Sequence, residues 1–129
     1  MQRYLTAHLS EPSLLEKSDT DAGRERSGSA DLLADIADVE ERQSYLRAGY
    51  PSLLAWCVGR LKLCDQAAKK RIRAARAARR FPAIFPAVDE GRLHLTAVVL
   101  LAAHLTEHNA EELLAAATDK TVEDRKSVV

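Results

Sequence analysis

The sequence predicts an all-α fold, a compact multi-helix domain of about six helices containing a helix-turn-helix, and three observations carry that reading. Alanine and leucine dominate a chain that is 47% hydrophobic with five glycines and four prolines, and β-branched residues are scarce, which is the residue usage of helices rather than strands. Apolar residues recur at helical spacing, as in Leu32, Ile36, Val39 and Leu46. Caps and breakers (Ser29, Gly49, Ser52, Pro82, Gly91) stand between the periodic segments. At 129 residues the chain is one domain with room for a core, though poor in aromatic side chains.

Taken in order, residues 1–28 read as a poorly ordered or partly helical lead-in. Leu5, Leu9, Leu14 and Leu15 allow a short helix after Ser10, but Asp19, Thr20, Asp21, Gly23, Ser27 and Gly28 argue against continuity. Residues 29–129 form the helical domain. Ser29 caps a helix from Ala30 to about Arg47 whose other faces carry Asp31, Asp35, Asp38, Glu40 and Glu41, and Gly49 ends it. Pro51 turns the chain, Ser52 caps a short helix from Leu53 to about Leu61, and a basic helix begins near Asp65. This helix-turn-helix spacing packs Leu54, Val58 and Leu61 against Leu63, Ala68 and Ile72. Phe81 and Pro82 stop the basic helix; the next one, Ala83 to Glu90, is kinked or kept short by Pro86 and closed by Gly91. Thr96 caps a helix from Ala97 to Leu105, apolar almost all round and therefore expected at the centre of the core. Thr106 caps a helix to about Ala117, and Thr121 to Asp124 resembles a capping box that starts a last helix at Val122. A helix that begins so close to Val129 implies a longer original context.

Charge is concentrated in one place. From Arg60 to Arg80 nine basic residues stand against one acid, Asp65, leaving ten basic and eighteen acidic residues elsewhere in a chain of zero formal net charge. Neutrality overall does not make such a chain indifferent to polyanions. On a helical wheel of about 100° per residue, Ala67, Ala68, Ile72, Ala74, Ala75 and Ala78 share one arc. Lys69, Arg73, Arg76 and Arg80 take the opposite arc, with Gln66 and Lys70 beside them. Arg71 and Arg79 fall among the alanines and are expected to be structural, paired with acids of the helix that carries Asp31 to Glu41.

Several chemistries find no support. There is no glycine-rich phosphate loop and no nucleophile triad. His104 and His108 are four apart and followed by Asn109, but Thr106 starts a new helix between them, so the two rings do not share a face. No cofactor, metal or catalytic residue is expected. Cys57 and Cys64 fit neither a disulfide framework nor a zinc site and read as small buried thiols. No apolar run has the length of a membrane span and the N-terminus has no signal-peptide pattern, so no membrane partner and a cytoplasmic location are expected.

The segment GYPSLLAWCVGRLKLCDQAAKKRIRAARAARRFPAIFPAVDEGRLHLTAVVLLAAHLTEHNAEELLAAATDK, preceded by ADLLADIADVEERQSYL, resembles the N-terminal helical region of bacterial HNH endonuclease-family proteins, above all in ARAARRFP and LHLT. It is less closely similar to the helix-turn-helix region of ParB-type partition proteins. Cys64, where similar sequences usually place a serine cap, and Pro86, inside a helix that is normally uninterrupted, depart from the pattern. The resemblance implies a DNA-associated helical module that in the larger family precedes a separate HNH nuclease domain, which this sequence lacks. Two function classes follow. In one, Lys69, Lys70, Arg73, Arg76 and Arg80 hold phosphates of double-stranded DNA while Gln66, with Lys69, approaches base edges. In the other, the same cations meet an acidic surface of a partner protein or of a second copy in a homodimer.

Overall fold

The computed structural model describes residues 8–127, with side chains described to residue 118. Among them seven helices and no strand follow one another: α1 Glu11–Arg42, α2 Ser44–Arg47, α3 Leu53–Gly59, α4 Asp65–Arg80, α5 Ile84–Asp89, α6 Leu95–Ala102 and α7 Ala110–Ser127. None of them is long and apolar enough to cross a membrane.

α4 occupies the middle. Its buried side chains are Ala68, Ile72, Ala74, Ala75, Ala77 and Ala78, so neighbouring backbones approach closely on more than half of its circumference, and it packs against α1, α3, α5 and α6. α1 brings Leu33 and Ile36, both fully buried, α5 brings Ile84 and Val88, and Leu93, Val98 and Leu105 complete the core. The expectation of a centrally buried helix at 97–105 is therefore corrected. α6 runs Leu95–Ala102 from an N-cap at His94 rather than Thr96, only Val98 is buried along it, and Leu100 is 66% exposed. A helix apolar on every side covers α4 with one face and leaves the other open.

α1 differs most from expectation. It is one helix of 32 residues that passes through Gly23, Ser27, Gly28 and Ser29 without a break; Leu5 lies outside the described residues. Ser10 is the cap, its Oγ accepting the Ser13 N–H at 3.3 Å. Two contacts support the polar half: Lys17 pairs with Asp21 one turn on at 2.7 Å, and Ser27 Oγ donates to Asp89 Oδ1 of α5 at 2.6 Å. The end also moves, because Gln43 adopts a left-handed conformation at φ 53° and separates α2 from α1, while the Arg47 guanidinium donates to the Arg42 carbonyl at 3.2 Å. α2 then stops before Gly49, at φ 93°.

Ser52 caps α3 by accepting the Ala55 N–H at 3.0 Å, but the helix is turned by one residue from the expected face. Leu53 and Cys57 are buried against the core, whereas Val58 is 39% exposed. Cys57 is thus the buried thiol and Cys64, the N-cap of α4, is exposed. α5 has only six residues, as expected of a helix that contains Pro86, which sits at its third position, where the missing N–H would have no intrahelical partner in any case. Thr106 and Asn109 exchange bonds, the Thr106 N–H donating to Asn109 Oδ1 at 2.7 Å and the Asn109 N–H to Thr106 Oγ1 at 3.3 Å. The α7 backbone then runs unbroken past Val122, so no new helix starts there: the alanine-rich stretch before it contains no glycine or proline to interrupt the ladder.

Candidate nucleic-acid interface

α4 starts at Asp65 and ends at Arg80 because Phe81 turns out of helical geometry ahead of Pro82. Its outer arc carries Gln66, Lys69, Arg73, Arg76 and Arg80, all exposed. Lys70, expected beside them, is half-buried toward α6. These six residues line one side of a groove between α4 and α6, formed by two open cavities of about 500 and 510 Å³ that meet at Arg73 and Val99. The opposite side is apolar: Val99, Leu100, Ala102 and Ala103 of α6 and its following turn. Sequence reasoning missed that wall because an all-apolar segment reads as interior.

The cations differ in how they are neutralised. Lys69 pairs with Asp65 one turn back at 2.9 Å, a contact that the i, i+4 spacing foreshadows. Arg76 is held by both oxygens of Glu40 on α1, its Nη2 at 2.7 Å from Oε2 and its Nε at 3.1 Å from each oxygen. That hydrogen bonding raises the Arg76 pKa above its ordinary value. No local pattern announces this pair, which exists only once α1 lies along α4. Arg80 places its guanidinium 5.0 Å from the centre of the Phe81 ring. Among the described residues Lys70, Arg73 and Arg80 form no ion pair.

The two arginines assigned to internal pairing diverge. Arg79 meets Glu41 of α1 at 2.6 Å. Arg71 does not pair with an acid: half-buried, it donates to the Ala67 carbonyl at 3.3 Å, because α1 turns Glu40 and Glu41 toward the C-terminal half of α4 and leaves Arg71 at the other end. The row of cations is therefore open to solvent, with two of its members, Lys69 and Arg76, already engaged by the molecule's own carboxylates.

His104 and His108 lie on either side of the turn into α7, both exposed, and Asn109 spends its side-chain amide on the His104 carbonyl at 3.0 Å. Among the described residues no group of three or more His, Cys, Asp or Glu side chains is placed to hold a metal ion. Compared with family models, with curated proteins and with solved structures, the chain finds no match.

Proposed function

We propose that this chain is a non-catalytic module that docks α4 on duplex DNA. The observation that carries the reading is the exposed arc of α4, on which Arg73 and Arg80 have no carboxylate partner among the described residues and Gln66 lies at the helix start. In this reading α3, the connection 60–64 and α4 act as a helix-turn-helix with α4 as the groove-facing helix. Surface ion pairs contribute only about 0–1 kcal/mol, so Lys69 and Arg76 can exchange Asp65 and Glu40 for phosphates when DNA arrives. The resemblance to the helical region of HNH endonuclease-family proteins agrees with a docking part whose chemistry is done elsewhere, and no reaction step is assigned to these residues.

The salt dependence of duplex binding tests it. Lys70, Arg73 and Arg80 alone give a log-log slope of about −2.7, and recruitment of Lys69 and Arg76 takes it to about −4.5, at about −0.9 per phosphate. Arg73→Glu with Arg80→Glu should abolish binding while helicity and Tm stay nearly unchanged. Failure of the native chain to bind duplex DNA at low salt overturns the proposal.

One observation favours a second reading. An exposed Leu100 opposite a cationic wall suits an acidic amphipathic helix better than it suits phosphates, and Asp31, Asp35 and Asp38, exposed on α1 and in no ion pair among the described residues, offer such a surface on a second copy. Leu100→Ser separates the two: DNA binding is indifferent to it, whereas a protein contact in the groove, read as concentration-dependent dimer formation, is lost.

A further inference from the structure

A desolvated charge needs compensation more than a hydrated one does, yet on α4 the order is reversed. Exposed Lys69, Arg76 and Arg79 each have a carboxylate oxygen within 2.9 Å. Among the described residues the half-buried Lys70 and Arg71 have none, and Arg71 donates to a single carbonyl at 3.3 Å. Both line a pocket of about 440 Å³ on the side of α4 between the N-terminal half of α1 and the start of α6.

A third cation, Arg26 of α1, closes that pocket. Its stem lies across Gly91, where a Cβ would stand 2.8 Å from Arg26 Cδ, so the absence of a side chain at 91 lets the arginine lie down against the turn. Among the described residues Arg26 also forms no ion pair. Ser29 and Thr96 bring hydroxyl groups to the same walls, and the first turn of α6 enters it without a side-chain cap on its N–H groups. Among the described residues Glu25 is the one carboxylate of the lining, and it lies beyond 4.0 Å of the cationic nitrogens of all three residues. His94 completes the rim.

We infer that this pocket binds a phosphate-type oxyanion, held by Arg26, Lys70 and Arg71. Three cations around a cavity with hydroxyl donors, none of them paired with the lining's Glu25, suit a tetrahedral anion with several acceptor oxygens. The site is separate from the outer arc of α4, sharing only Lys70 with it, and its occupant is either a free phosphate ester or a phosphate of a nucleic-acid backbone.

The test is titration of the full chain with inorganic phosphate at constant ionic strength, followed by backbone amide shifts. The expected result is saturable binding with the largest shifts at Leu95 and Thr96, weakened by about tenfold in Arg71→Gln, the loss of one charge-assisted contact. Since Arg71 is half-buried, exposed Arg26→Gln is the second variant and must weaken phosphate several-fold with Tm unchanged. Arg73→Glu with Arg80→Glu must leave phosphate binding intact, so that loss of DNA docking and loss of this pocket are told apart. Backbone phosphate is the occupant if Arg26→Gln lowers the duplex salt slope by about 0.9, and a free ester is the occupant if that slope is unmoved. Absence of saturable binding, shifts centred elsewhere, or phosphate affinity unaltered in Arg26→Gln overturns the inference.

Discussion

Glu40 decides how much of the α4 charge is available, since it takes both bonds of the Arg76 fork. Replacing it with glutamine should free one cation and make the salt slope of DNA binding steeper from the outset, at a stability cost of about 0.5 kcal/mol for a pair exposed on the arginine side. Affinity measured at two salt concentrations and a denaturant melt check both halves. The cysteines offer a second residue-level test. Burial pushes the Cys57 thiol above its ordinary pKa, whereas Cys64 is exposed. A thiol reagent at pH 8 should therefore modify Cys64 quickly and Cys57 only as fast as the fold opens. Below the ordinary thiol pKa both folded and unfolded Cys57 keep the proton; above it the unfolded chain releases the proton first, so stability should fall as pH rises past about 9.

At the level of elements, the α4 boundaries were legible because both ends are set by local chemistry, extended backbone at Cys64 followed by an acid in the first turn, Asp65, and a stop at Phe81 and Pro82. Ser52 could be read as a cap for the same reason, whereas Thr106, read as the cap of the next helix, closes a bonded turn ahead of α7, which begins only at Ala110. α1 was not legible. Gly23, Ser27 and Gly28 count against a helix by propensity, and what holds them helical is partly distant, the Ser27 to Asp89 bond between α1 and α5. Gly28 has open space where a Cβ would go, and at Gly23 a Cβ would make only an ordinary contact at 3.8 Å with Arg26. Gly23→Ala with Gly28→Ala should accordingly stabilise the fold by about 1–2 kcal/mol, from about 1 kcal/mol per glycine removed from a helix interior, seen as a higher Tm and unchanged circular dichroism shape. The rotation of α3 and the open face of α6 escaped sequence reading on another ground. Periodicity gives the apolar side of a helix, while the neighbour available to cover it is a property of the whole chain.

For the molecule as a whole, the six candidate side chains were found on one groove because they sit on a single helix, and their division into engaged and free cations followed only from the placement of α1. The same placement makes α4 the common wall of four neighbours. Ala78 is fully buried there, and Ala78→Leu should cost about 1–3 kcal/mol by overpacking, read as a lower denaturation midpoint with α4's outer charges untouched. A centre built mostly from methyl groups has an unusual kind of fragility. Few atoms can be taken away from it, so damage arrives by addition, and a library randomised at 68, 74, 75 and 78 and sorted for folded protein should return little beyond alanine, glycine, serine and cysteine.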